Sequence, residues 1–242
     1  MKGLKYIVLS MICWGLASCG HQKNKETEAL VETQGSTQTE PFNLAKVAVG
    51  QNINEILKSA GATAKEAVRT SEVTLIGNEK LAFSSKELLH FNGIDLEGKN
   101  NKNTNKVILH FGKVDQEIGP LANEKEDELG MYQLDIYTEQ EKTALLDNLN
   151  KTLQKPSFDT IREGFESEVR DNEIIQTHNK LRQEVAIWRN KDILYYYCET
   201  KIDNRPDEYR CNLFVFKNKE WKDLLKGSGY PDLDKFELIE VK

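Results

Sequence analysis

No apolar run in this chain of 242 residues is long enough to cross a bilayer, which takes roughly 20 consecutive apolar residues. The longest, residues 7–17, falls well short. Catalytic signatures are missing too. There is no G-x-S-x-G elbow, no H-E-x-x-H helix and no P-loop. Only a serine–histidine–aspartate set assembled from distant positions would leave no such trace. Cysteine is scarce, with four residues and no C-x-x-C pair, so a thioredoxin-like dithiol is excluded. Positive charge is not in excess: 33 Lys and Arg stand against 39 Asp and Glu, a formal net charge of -6. That balance argues against nucleic acid as a partner and against electrostatic docking on anionic lipid. Nothing in the chain calls for a cofactor or a resident metal.

What is present begins at the N-terminus. Lys2 and Lys5 precede the apolar residues 7–17, and small residues lead into Leu16-Ala17-Ser18-Cys19-Gly20. A positive start, a short apolar stretch and small residues before a cut make a secretory signal. This stretch resembles a bacterial lipoprotein signal peptide with its lipobox. The resemblance implies cleavage before Cys19, lipid on the Cys19 thiol and amine, and a mature chain anchored to a membrane of the cell envelope. One acyl chain anchors only marginally, but lipoproteins of this kind carry two or three. Gly20 is not an aspartate, which by the sorting rule of enteric bacteria implies the outer membrane. Lys25-Glu26-Thr27-Glu28 resembles surface-export signals of Bacteroidetes lipoproteins, and the periplasmic or surface face stays open. Losing Lys2 and Lys5 with the signal takes the formal charge from -6 to -8.

The division expected is a signal at 1–18, a flexible tether at 19–40, a first α+β unit at 41–138 and a second at 139–242. The tether is polar and cannot bury enough surface to order itself. Asn52-Ile53-Asn54-Glu55 has the form of a capping box, Ile53, Ile56, Leu57 and Ala60 line one helical face, and Gly61 suits a left-handed helix stop. Val47 through Gly61 reads V-x-V-G-x-x-I-x-E-I-L-K-x-x-G. This resembles the helical repeat of the small outer-membrane-assembly lipoproteins and of the β-lactamase inhibitor proteins, and the resemblance implies helices packed on an antiparallel sheet. Strands are expected at 73–76, 80–83, 88–94, 107–114 and 131–138, where Val107, Leu109 and Phe111 alternate with Ile108, His110 and Gly112. Thr138-Glu139-Gln140-Glu141 forms a second capping box. It opens a helix over 139–153 with a buried stripe of Leu145, Leu146, Leu149 and Leu153, closed by Pro156. Residues 157–183 mix helical and strand spacing. A short helix is expected at 221–226 and a closing strand or tail at 236–241. The fold class expected is α+β: one antiparallel sheet with helices on one face, built from two tandem helix-plus-sheet units. Uncharacterised Bacteroidetes lipoproteins that pair a capped helix with late Trp-bearing strands are similar.

Strands at 193–200 and 209–216 suggest a hairpin. Setting Cys198 opposite Cys211 places Tyr196 against Leu213, Leu194 against Val215 and Glu199 against Arg210. In an oxidising compartment this register predicts a Cys198–Cys211 disulfide, worth about 3 kcal/mol by loop closure. Tyr195 and Tyr197 alternate along the strand and offer a possible aromatic binding surface. His90 and His110 sit in matching Leu-His-Phe contexts, but a zinc site needs three or four ligands and no further ligand lies at useful spacing. The acidic loop 124–128 lacks the spacing of a calcium site.

These observations lead to a lipid-anchored envelope lipoprotein, non-enzymatic, that binds a protein or peptide partner. The alternative is an envelope hydrolase or glycan-binding protein with a dispersed site.

Overall fold

The computed structural model describes residues 41–68, 79–111, 127–170, 173–206, 209–217 and 219–235. The signal, Cys19, the tether, the strand expected at 73–76, most of the acidic loop and the segment 236–241 lie outside the described residues. The described ones fall in one compact unit, Glu40–Lys242.

The chain is mostly β, which corrects the α+β expectation. Strands β1 (Glu79–Phe83), β4 (Lys106–Phe111), β5 (Leu129–Ile136), β6 (Phe158–Arg170), β7 (Glu173–Asn190), β8 (Ile193–Ile202) and β9 (Arg210–Phe216) form one sheet. Its order is β1-β4-β5-β9-β8-β7-β6 and every neighbouring pair is antiparallel. β2 (His90–Phe91) and β3 (Ile94–Asp95) make a small separate hairpin, with Asn92 and Gly93 both at positive φ in its turn. β5 pairs directly with β9, so the strands on either side of residue 138 belong to one sheet.

Three α-helices are described: α1 (Ile53–Ser59), α2 (Glu139–Leu153) and α3 (Lys219–Gly227). They do not share one face of the sheet. Ile53, Ile56 and Leu57 of α1 and Leu145 and Leu149 of α2 join Tyr132, Leu134, Tyr197 and Leu213 in one core. Trp221 and Leu225 of α3 join Ile187, Tyr196, Phe214 and Phe216 in a second core on the opposite face. The sheet is therefore buried on both sides. That explains why its central strands read as nearly unbroken apolar runs.

Local chemistry sets the helix ends. Asn52 Oδ1 accepts from Asn54 N at 2.9 Å and Glu55 N at 3.4 Å, satisfying orphan donors of α1. At its other end Gly61 takes φ +67. Gly61 N donates to Lys58 O and Ala62 N to Leu57 O, a Schellman stop that a β-carbon would strain. α2 spans the range expected, but its capping box does not form, since the Thr138 side chain makes no cap bond. The Thr138 hydroxyl instead accepts from Asn105 Nδ2 at 2.8 Å. α2 carries the chain from β5 to β6, at the far edge, and its C-terminal Gln154 carbonyl accepts from Trp188 Nε1 of β7 at 3.1 Å.

The ambiguous stretch 157–183 is β6 and most of β7. Of its helix-like set only Phe158 packs against a core, Ile161 and Phe165 stand open to solvent, and pairing with β7 decides the conformation.

The register of β8 against β9 is one residue away from the one expected. Cys198 lies opposite Asn212, Glu199 opposite Cys211, and Tyr196 opposite Phe214. Cys198 therefore points into one core and Cys211 into the other. Both are free thiols, and the disulfide expected between them cannot close through the sheet.

Candidate functional site

Two features of the described surface are built for contact. The first is an arm. β7 pairs with β8 only as far as Leu181 and Ile202, yet it continues to pair with β6 out to Glu173 and Arg170. Beyond the sheet, β6 and β7 run on as a two-stranded ribbon for about 20 Å, at roughly 3.3 Å per residue. Large apolar side chains stand open to water along β6 and the arm: Ile161 is 53 % exposed, Phe165 49 %, Ile174 80 % and Ile175 40 %. Glu166 fixes the base of the arm. Its Oε2 accepts from Asn179 Nδ2 at 3.0 Å and Thr177 Oγ1 at 3.3 Å, where β7 bulges between the Phe165 and Ser167 pairings. Its Oε1 is paired with Arg205 Nη1 at 2.8 Å, tying the bulge to the β8–β9 loop.

β6 is also an edge of the sheet. At the opposite edge, β1 is partly covered by a bridge from Val68 to Ala82. No such cover lies over β6 among the described residues. An uncovered edge presents a row of backbone donors and acceptors to a partner strand.

The second feature is a cleft of about 500 Å³ between the start of α2 and the β8–β9 loop, lined by Asn100, Glu139, Lys201, Arg205, Pro206 and Tyr209 among others. Beneath it lies an ion network. Lys201 Nζ is 2.9 Å from Glu139 Oε1 and 2.8 Å from Glu199 Oε1. Lys142 Nζ is 2.6 Å from Glu139 Oε2 and 3.5 Å from Glu199 Oε1. Glu199 is buried and its Oε2 accepts from Tyr197 Oη at 2.9 Å. Both ammonium groups sit over the Tyr209 ring, at 5.8 Å for Lys142 and 5.2 Å for Lys201, within cation–π range. Partial burial pushes the Glu139 carboxyl up, but the hydrogen bonds and charges of Lys142 and Lys201 outweigh it and hold it below its ordinary value. Lys201 is displaced the other way: burial lowers it, and its bonds to Glu199 and Glu139 outweigh that and raise it.

A third polar group is buried in the sheet itself. His110 Nε2 lies 3.2 Å from Gln133 Oε1, and Gln133 Nε2 donates to Asp135 Oδ1 at 2.6 Å. Asn212 Nδ2 donates to the same oxygen at 2.5 Å, and Lys106 Nζ is 3.4 Å from Asp135 Oδ2. This row crosses β4, β5 and β9 with its carboxylate fully buried and paired. Such a network specifies alignment of strands. It holds Asn212 in register with Asp135 of β5 and fixes the face of β9 that Asn212 presents.

The residues singled out in the sequence fare differently. Tyr195 and Tyr197 are both buried in the core beneath the helices, so neither is available as a binding surface. Burial raises both phenols above their ordinary value. Burial also pushes the Cys198 thiol up to about 11 and holds the Cys211 thiol well above its ordinary value, which makes them poor nucleophiles. His90 pairs with Asp95 in the small hairpin while His110 lies in the main sheet against Trp221. The two do not converge, and no group of three or more His, Cys, Asp or Glu among the described residues is placed to hold a metal. No helix among them is long and apolar enough to cross a membrane. Sequence reading missed Glu166, Glu199, Lys201 and Tyr209. The one available signal was Glu199 and Lys201 alternating at the end of an otherwise apolar strand.

No family model matches the chain, and neither a curated protein nor a solved structure matches it.

Proposed function

We propose that this chain is a lipid-anchored protein of a bacterial envelope, non-enzymatic, that binds an extended segment of a protein or peptide partner along β6 and the β6–β7 arm. The lipid on Cys19 holds it at the membrane, and the tether lets the sheet reach its partner. The observation that carries the binding reading is the uncovered edge of β6 with Ile161, Phe165 and Ile174 open to solvent beside it. A partner strand adding to that edge satisfies the free backbone groups and covers the apolar side chains at once. Monomeric proteins usually blunt such edges.

The test is chemical crosslinking and capture of the tagged, lipidated protein from its own membranes, beside Cys19→Ala and a Phe165→Asp/Ile174→Asp variant. One dominant partner, lost in both variants, is expected. Equal capture by the arm variant overturns the arm as the contact. Absence of any partner above background overturns the binding reading.

A further inference from the structure

We infer that the strand added to β6 is β6 of a second copy of this chain, paired antiparallel about a two-fold axis at Phe165. The inference rests on the reading of β6 as an open edge and names what fills it. The arm points to it first. β8 stops pairing at Leu181, the residue opposite Gly164. From Phe165 to Arg170, β6 therefore has only β7 beside it among the described residues. A two-stranded ribbon is marginal in water, and a third strand with a shared apolar face is what makes one stable. With the axis at Phe165, residues 166–170 of each copy lie against residues 164–160 of the other. Each arm gains a strand along its β6 side, and the edge of each sheet is covered.

The side chains select this register. Directly opposed residues of an antiparallel pair share a face of the sheet. An axis at Phe165 sets Phe165 against its own counterpart, and Arg162 of each copy against Glu168 of the other. Glu163 meets Ser167 and Gly164 meets Glu166, so no like charges are opposed. The neighbouring axes are worse. At Glu163 or Glu166 two identical carboxylates meet, and at Arg162 two guanidinium groups. At Gly164 the ring of Phe165 falls against Glu163, and at Ser167 Glu166 falls against Glu168. Ile161 and Phe165 are four residues apart and share a face, and Ile174, paired at position 169, stands on it too. Ile161 of one copy comes opposite position 169 of the other, beside which lies Ile174. The exposed Ile161, Phe165 and Ile174 of both copies thus line up as one apolar stripe across the junction. Arg162 is bonded to Asp232 and Glu168 to Arg170 within one copy, so the stripe and the backbone edge, rather than a new ion pair, carry the contact.

The experiment uses the full lipidated chain in its own membranes, with Glu163→Cys on one tagged copy and Ser167→Cys on a second, differently tagged copy. These positions oppose each other in the register above. In either variant alone the two introduced thiols lie four residues apart along the strands, about 13 Å at roughly 3.3 Å per residue. The buried Cys198 and Cys211 are common to both variants. After brief reduction, a short bis-maleimide should link the mixed pair and give no dimer in either variant alone. Adding Phe165→Asp/Ile174→Asp to both copies should abolish the link and leave the melting temperature unchanged, since both side chains are exposed. An unlinked mixed pair overturns the inference. So does equal linking in each variant alone, which marks random collision, and so does a link that survives Phe165→Asp/Ile174→Asp. Mass spectrometry of what the chain captures separates this inference from the reading beneath it. A different protein, lost with Phe165→Asp/Ile174→Asp while the mixed pair stays unlinked, overturns the second copy and leaves the open edge standing. Neither a link nor a captured protein overturns both.

Discussion

Asn105 stands at the start of β4 with no solvent exposure, and replacing it with alanine tests how the two halves of the chain are joined. Its Nδ2 donates to Leu96 O at 3.0 Å and to Thr138 Oγ1 at 2.8 Å, and its Oδ1 accepts from Tyr137 N at 2.7 Å. One amide thus links the β3–β4 loop to the junction of β5 and α2. Asn105→Ala strands three groups. Thr138 is only half-buried, so its hydroxyl can turn to water or to the free end of α2. The Leu96 carbonyl belongs to a fully buried residue and the Tyr137 amide loses its bond to Asn105 Oδ1, and each buried unmet group costs about 1–3 kcal/mol. The expected loss is about 3 kcal/mol, which lowers the melting temperature by roughly 6–12 °C for a domain of this size. Urea titration monitored by tryptophan fluorescence measures it. Asn105→Asp keeps the acceptor for Tyr137 but turns a carboxylate toward the Leu96 carbonyl. Its protonation is favoured in the fold, so that variant should regain stability as pH falls. A loss under about 1 kcal/mol for Asn105→Ala would refute the reasoning, because it would mean that water replaces the amide at no cost. Gly98 shares the site: a β-carbon there would lie 2.8 Å from Asn105 Nδ2 and 3.0 Å from Thr138 Oγ1, so Gly98→Ala should disturb the same bonds.

Other expectations follow from the same geometry. Glu139 is held below its ordinary value of 4.5, so its contribution is present above that pH and lost as pH falls through the depressed value. Lys201 is raised above its ordinary 10.5, and its share is lost only in stronger alkali. The melting-temperature gap between the native chain and Glu139→Gln should therefore be open at neutral pH and close on acidification. A gap that widens in acid would contradict the pairing. Cys198 and Cys211 should resist thiol reagents in the folded protein and react after unfolding, with no bridge found by mass spectrometry. A Cys198–Cys211 disulfide in unreduced protein would show that the β8–β9 register is wrong. Trp221 is fully buried with its ring edge-on to His110 at 5.7 Å. Trp221→Ala should cost about 3–5 kcal/mol in urea titration, and a cost under about 1 kcal/mol would mean that α3 does not seal its face of the sheet.

What the sequence determined by itself was local. The bounds of α2, the capped helix α1 with its glycine stop, and the spans of β8 and β9 all come from signals within a few residues: caps, stops and runs of β-formers. The tertiary structure decided everything that depends on which face a side chain meets. Strands that alternate polar and apolar declare their inner face, but residues 193–198 and 211–216 are apolar almost throughout because helices cover both sides of the sheet. A one-residue slip between them leaves the hydrophobic pattern unchanged, so the pattern could not report the register. The face that Asn212 takes in β9 is fixed by its bond to Asp135, 77 positions away in the chain. The same limit applies to the arm and the cleft. β6 buries too little to show a period of two, and Glu139, Lys201 and Tyr209 become neighbours only when α2 crosses the sheet above β8 and β9. Contacts made across that distance carry no local spacing, and only the folded chain brings them together.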